Sequence, residues 1–237
     1  MKRACDLTIA ALAIVALFPI LAIVAALVWL SDRGSIFYHG ERIGRQGAPF
    51  KMLKFRTMRI RPAEGAAITV RDDPRVTPVG RVLRKLKLDE LPQLINVARG
   101  EMSLVGPRPE APRYVALYTS EQRRVLTVRP GVTGLTQIVY RDESQFLSGS
   151  DPDTLYRTVV MPAKLRIDLE YIAHVSLWLD ASIIMLTAIV ILIPPASSLA
   201  RFLVPTSADV SQGMLEPAHG AAEPEPVAPR SRKERNG

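Results

Sequence analysis

Asp89 and Glu90 stand side by side just ahead of Pro92, in the stretch LDELPQLINVARGEMSLVGPRPE at 88–110. An ionised carboxylate is a nucleophile toward phosphorus and gives an acyl phosphate. A helix N-terminus favours the ionised form. A neighbouring carboxylate can hold Mg²⁺, which screens the phosphate oxygens that would repel the attacker. This chemistry makes Asp89 a candidate nucleophile and Glu90 a candidate metal ligand. A structural reading competes with it. Asp is a good N-cap, Glu90 suits the positive end of a helix, and Pro92 is tolerated in a first turn. On that reading Asp89 starts a helix with Leu91, Leu94, Ile95 and Ala98 as its buried stripe and Gly100 as its stop. A cap, however, needs only one acid.

Arg108 stands between Pro107 and Pro109. Each proline fixes its own φ, and Pro109 keeps Arg108 out of helical conformations. A guanidinium on so stiff a mount suits bidentate clamping of a phosphate, against the alternative of a plain solvent-exposed loop arginine. Lys54, Arg56 and Arg84 are further candidates for a diphosphate-binding surface. The formal net charge of +8 agrees with phosphorylated substrates or anionic lipid. Basic-aromatic stacking motifs are absent and aromatics make up 6 %, which argues against nucleic acid. Cys5 is the only cysteine, so an intrachain disulfide is excluded. His39, His174 and His219 lie far apart, and no Cys/His group has zinc spacing.

The elements that must position these residues begin at a membrane. Leu7 to Leu30 carries no charge and is long enough to span a bilayer as a helix. It lacks the short core and clear cleavage site of a signal peptide. Pro19 lies near its middle and should kink it. Lys2 and Arg3 precede the segment, and Arg33, Arg42, Arg45, Lys51, Lys54 and Arg56 follow it. Lys and Arg favour the cytoplasmic side, so both flanks ask for the same side. A re-entrant helix satisfies this and a straight span does not. A second apolar run, Val175 to Pro195, is interrupted by Asp180. It could lie at the interface, pack on the first helix, or span; the interface is favoured.

Between these runs, residues 36–58 carry strand-like apolars around a GRQG turn and predict a β-hairpin beside the membrane. Residues 71–80 predict a loop. Val82, Leu83 and Leu86 predict one helical face, with Arg81, Arg84, Lys85 and Lys87 on the others, mostly solvated. Residues 128–135 predict a turn and 152–173 a helix. From Thr206 the chain is rich in Pro, Ala, Glu and Arg without an apolar period, and predicts disorder.

Several stretches carry a family resemblance. They are KRACDL with the apolar segment after it, PFKMLKFRTM, DDPRVTPVGRVLRKLKLDELPQLINVARGEMSLVGPRPE, RPGVTGLTQI and DLEYIAHVSLWLDASIIMLT. In these the chain resembles the bacterial sugar transferases known as monotopic phosphoglycosyl transferases, over about residues 2–190. The central block is the most specific part. The resemblance implies transfer of a phospho-sugar from a nucleotide-sugar donor, usually UDP-linked, to polyprenol (undecaprenyl) phosphate. Asp89 would hold the covalent phospho-sugar while UMP leaves, Glu90 would bind Mg²⁺, and Arg108 would clamp phosphate. The family's re-entrant helix breaks at a Ser-Pro pair; here the pair is Phe18-Pro19, without the capping serine.

The expected fold is α+β and mostly helical. It has a membrane-embedded re-entrant helix (1–32), then a transferase domain (33–200) with a small β-hairpin and interfacial amphipathic helices, and a disordered tail (206–237). The expected place is the cytoplasmic face of a bacterial inner membrane, among membrane lipids. The expected task is the initiating step of exopolysaccharide, O-antigen or glycoprotein glycan synthesis. Homo-oligomerisation is left open. Sugar recognition is expected in the loops around 59–75 and 139–155. The opposing reading is a non-catalytic basic scaffold at the membrane surface, which would not need Asp89, Glu90 and Arg108 together.

Overall fold

The computed structural model describes residues 1–59, 73–141 and 151–193. The expected tail lies outside these residues, as do most of the two loops expected to read the sugar. The described chain is mostly helical, with two small two-stranded sheets.

The N-terminal apolar run is one helix, α1 (Lys2–Asp32), of 31 residues. At about 1.5 Å per residue it is long enough to cross a membrane. It continues through Phe18 and Pro19 rather than breaking there. Proline removes one backbone donor, and long apolar helices tolerate that loss. Both ends of α1 are tied to the same folded body. At the start, Arg3 Nη1 donates to the Val97 carbonyl at 2.8 Å and Lys2 Nζ to the Val105 carbonyl at 3.1 Å. Asp6 accepts from Ser103 Oγ at 2.8 Å and from the Leu104 amide at 3.2 Å. At the end, Asp32 pairs with Arg56 at 3.0 Å. Ala13, Ile14 and Leu17 pack on the main core, and Val24 and Val28 on Phe55 and Leu83. The side of α1 bearing Leu12, Val15, Phe18 and Ile23 is bare.

The predicted hairpin is present. β1 (Phe37–Ile43) pairs antiparallel with β2 (Pro49–Phe55), from Phe37 opposite Phe55 to Ile43 opposite Pro49. Gln46 and Gly47 make its turn in the left-handed region, at φ 58° and 78°.

The helix α2 (Pro78–Lys85) is capped by Thr77, whose hydroxyl accepts from the Gly80 amide at 2.9 Å. Of the predicted face only Leu83 is buried; Val82 and Leu86 stay 56 % and 44 % exposed. The cause is Gly80. A Cβ there would sit 2.2 Å from the Thr57 carbonyl oxygen, so the bare backbone presses on the end of β2. That contact turns the row Gly80–Leu83 inward and leaves Val82 and Leu86 outside.

Two expectations about the next helix are corrected. It does not begin at Asp89: Leu88–Glu90 is a separate 3₁₀ turn, and α3 starts at Gln93 (Gln93–Arg99). The buried row is Gln93, Leu94, Asn96 and Val97, and Ala98 is exposed. Asn96 turns this row inward. Its Oδ1 accepts from the Leu53 amide and its Nδ2 donates to the Lys51 carbonyl, each at 2.9 Å. Gly100 ends the helix at φ 89°, as its sequence position predicted.

The predicted turn at 128–135 contains a strand. β3 (Ser103–Val105) pairs in parallel with β4 (Gly131–Thr133). A Cβ on Gly131 would lie 2.1 Å from the Gly106 amide nitrogen, so the approach requires glycine. Short helices α4 (Pro112–Val115) and α5 (Leu135–Val139) follow the two strands.

Helix α6 (Pro152–Leu155), one π-helical turn (Tyr156–Val160) and α7 (Met161–Ala173) make the predicted 152–173 stretch helical. The second apolar run forms α8 (Leu177–Leu192), capped by Ser176. It buries Ile183, Leu186 and Val190 and exposes Trp178, Met185 and Leu192, so it has two apolar faces rather than an apolar and a polar one. Asp180 is buried, pairs with Lys2 and accepts from the Tyr171 hydroxyl at 2.7 Å.

Candidate active site

The turn carrying Asp89 and Glu90 hangs between two fixed elements. Lys87 precedes it in the left-handed region at φ 57°, and its carbonyl accepts from the Glu90 amide at 3.3 Å. Leu91 and Pro92 then lead directly into α3. Asn96 holds α3 against β2, which brings Lys54 to the acids. Pairing of β3 with β4 places the loop that carries Arg108.

These elements converge on Glu90. Lys54 Nζ donates to Glu90 Oε1 at 2.7 Å, and Arg108 Nη2 donates to the same oxygen at 2.9 Å. Burial opposes ionisation of Glu90, but the Arg108 and Lys54 charges outweigh it and hold its carboxyl well below the usual range. Burial lowers the Lys54 ammonium, and Glu90 opposes that shift.

Asp89 is treated differently. It is 6 % exposed, and its Oδ1 is buried without a hydrogen-bond partner. Its side chain caps no helix. Burial pushes its carboxyl upward; the Lys54 charge opposes this and Glu90 adds to it. Two adjacent carboxylates thus have opposite environments. One oxygen of Glu90 carries two cations, and Asp89 keeps a bare oxygen.

Arg84 Nε donates to Thr57 Oγ1 at 2.8 Å, with burial lowering its pKa and the Asp89 charge opposing. Arg56 is placed elsewhere. Its Nη1 bonds Asp32 at 3.0 Å, and its Nη2 is buried without a partner, so it braces the end of α1 instead of meeting the acids. Phe18 and Pro19 lie on α1, with Phe18 66 % exposed.

Sequence reasoning missed a second polar group behind Arg108. Lys164 Nζ donates to Glu110 Oε1 at 3.3 Å and to the Tyr156 hydroxyl at 3.2 Å, and that hydroxyl also bonds Glu110. Asp168 accepts from Thr136 Oγ1 at 3.0 Å, and burial pushes its carboxyl up to about 7. The signal available was Glu110 itself, two residues after Arg108.

The donor set suits Mg²⁺. Among the described residues no three ligand-type side chains converge. Mg²⁺, however, is commonly held by one or two carboxylates with substrate phosphates and water completing its shell. Adjacent carboxylates, one with an orphaned buried oxygen, meet that requirement.

The bacterial sugar transferase family matches residues 1–194. The chain belongs to this family. The sugar transferase is 47 % identical over 171 residues to the exopolysaccharide production protein ExoY of Sinorhizobium fredii, covering 65 % of this chain and 76 % of that one. It is 43 % identical over 194 residues to an undecaprenyl-phosphate glucose phosphotransferase of Komagataeibacter xylinus, covering 78 % and 35 %. It is 39 % identical over 197 residues to the UDP-glucose:undecaprenyl-phosphate glucose-1-phosphate transferase of Escherichia coli, covering 79 % and 39 %. The transferase therefore spans about three quarters of the first relative, but little more than a third of the two glucose enzymes.

Proposed function

We propose that this transferase moves a sugar phosphate from a UDP-sugar to undecaprenyl phosphate, releasing UMP, as the initiating membrane step of a bacterial glycan such as exopolysaccharide. The donor and acceptor are the substrates in the names of its relatives. The observation that carries the mechanism is the contrast between Asp89, with a bare buried oxygen, and Glu90, held by two cations.

An Asp89 oxygen attacks the sugar-linked phosphorus of the donor. The bond from that phosphorus to the bridging oxygen breaks, and UMP leaves with the electron pair. Asp89 then carries the phospho-sugar as an acyl phosphate. An oxygen of undecaprenyl phosphate attacks the same phosphorus, the Asp89 carboxylate leaves, and a lipid-linked diphosphosugar forms. Lys54 and Arg108 stabilise charge on the diphosphate, with Arg108 offering its fork from a stiff loop. Glu90 would hold Mg²⁺, which when bound neutralises phosphate charge. A scaffold would have no use for a buried carboxylate without a partner.

The reading includes a one-faced membrane placement. It is supported by α1, whose two ends bond the same folded body while its outward side stays apolar. The bare apolar face of α8 supports contact with the same leaflet. The catalytic body then faces the cytoplasm, where nucleotide sugars are made.

The test uses purified full-length protein with radiolabelled UDP-sugar and Mg²⁺. Without lipid, wild type should trap label covalently and release UMP; with undecaprenyl phosphate the label should pass to lipid. Asp89→Asn should express normally and trap none. Turnover by Asp89→Asn would overturn the nucleophile assignment.

A further inference from the structure

Lys54 and Arg108 hold Glu90. A third cation stands just ahead of the acid pair. Lys87 lies two residues before Asp89, and its charge favours ionised Asp89 and Glu90 without bonding either. Among the described residues its Nζ reaches only the Arg141 carbonyl, at 3.5 Å, the outer limit of a hydrogen bond. Such a contact is readily exchanged for a better acceptor.

The surroundings of Lys87 say which acceptor. Arg141 ties two helix ends together: its Nη1 donates to the Val190 carbonyl of α8, and its Nη2 to the Lys85 carbonyl of α2 at 3.3 Å. Lys87 therefore stands where the C-terminal ends of α2 and α8 meet. The outward side chains there are apolar, with Leu86 44 % and Leu192 81 % exposed. Charge within reach of the nucleophile thus abuts bare hydrocarbon surface. A nucleotide sugar is polar throughout and has no use for that surface. A phosphate monoester on a long apolar chain matches both halves.

The backbone adds a second observation. Lys87 occupies the left-handed region, where glycine is the unstrained choice. Glycine would serve a turn alone; lysine in its place adds an ammonium at the cost of strain.

We propose that Lys87 binds the phosphate of the lipid acceptor and holds it beside Asp89 for the second half of the reaction, with the apolar tail lying over Leu86 and the end of α8. This rests on the two-step transfer proposed above.

The two half-reactions separate the claims. Wild type, Lys87→Gly, Lys87→Gln and Lys87→Arg are compared as full-length protein in nanodiscs. Covalent trapping of sugar label without lipid reads the donor step. Chase of trapped label with undecaprenyl phosphate reads the acceptor step. Lys87→Gly should still trap label, with any slowing of the donor step smaller than its loss in the acceptor step. Its acceptor KM should rise about tenfold with the donor KM unchanged, and Lys87→Arg should restore the acceptor KM. A purely conformational role predicts an acceptor KM unchanged in glutamine and arginine, whose backbone cost equals that of lysine, and harmless or better glycine; that pattern would overturn the proposal. An unchanged acceptor KM in Lys87→Gly, or an equal fall in both steps, would also overturn it and leave the transfer reading standing. Absence of trapping and transfer in wild type would instead overturn the transfer reading, and the lipid-phosphate site with it.

Discussion

Arg108 Nη2 donates to Glu90 Oε1 at 2.9 Å, the same oxygen that receives Lys54. Two cations on one oxygen of a largely buried carboxylate make Glu90 an anchor for charge and a poor nucleophile. They also place two candidate phosphate-binding groups one residue away from the bare oxygen of Asp89. Arg108 matters here for its shape as well as its charge. On the reading proposed above, its planar fork is what a donor phosphate would meet. Lysine keeps the charge and loses the planar fork. Arg108→Lys should cost about 1.5–3 kcal/mol of transition-state stabilisation, the scale of hydrogen bonds to charged groups. That is roughly a 10- to 150-fold fall in kcat/KM. Steady-state UMP release measures it, and wild-type kinetics in the variant would sink the clamp.

Asn96 gives a prediction for a residue that touches neither acid. It is fully buried and bonds the Leu53 amide and the Lys51 carbonyl, holding the strand that carries Lys54. Asn96→Ala leaves both backbone groups without their partner. The expected destabilisation is about 1–3 kcal/mol. Lys54 should lose its fixed approach to Glu90, so turnover should fall further than stability alone explains. Thermal melting and turnover at a temperature well below melting separate the two effects. An unchanged melting temperature would show that β2 is held by other contacts.

The hairpin, the apolar helices and the acid pair were legible because each rests on local chemistry: alternation around GRQG, an uncharged run, adjacent carboxylates. Arg108 and Lys54 were legible as candidates by type, and the structure brings both to Glu90. Arg56 was a candidate of the same kind and is placed elsewhere, because its partner Asp32 lies at the far end of α1 and nothing local marks that pairing. The buried face of α3 was misread for a related reason. Periodicity treats Asn96 as polar and therefore outward, whereas its amide bonds strand backbone. Lys87 was read among solvated bases because its backbone conformation, φ 57°, carries no signature in a lysine.

Both ends of α1 should label from the same side of the membrane. Arg3 reaches the Val97 carbonyl, and Asp32 at the other end pairs with Arg56 of the same body. In a variant with Cys5 replaced, cysteines introduced at Lys2 and at Ser35 should both react only with a reagent admitted to the cytoplasmic side. Reaction of the residue-2 cysteine from the opposite side would sink the one-faced placement. Pro19→Leu restores a backbone donor inside α1, stiffens the helix between its two tethered ends, and should lower activity by favouring a span over the one-faced placement.

Asp168 sets a pH dependence of stability separate from the chemistry. It is 5 % exposed, and burial raises its carboxyl from the ordinary 3.8 to about 7. A carboxyl whose folded pKa lies above its unfolded value binds its proton more tightly when folded. Its contribution to stability is complete below about pH 4 and is lost as pH rises through about 7. At 1.36 kcal/mol per unit, the loss amounts to a few kcal/mol, roughly 4 at most. The amide introduced by Asp168→Asn stays neutral at every pH and can still accept from the Thr136 hydroxyl that Asp168 binds. This variant should therefore melt several degrees above wild type at pH 8, with the gap closing toward pH 4.5. The comparison between variant and wild type removes the contribution of Glu110, whose carboxyl the Lys164 charge lowers despite burial. A gap of the same size at both pH values would mean that Asp168 does not titrate between them.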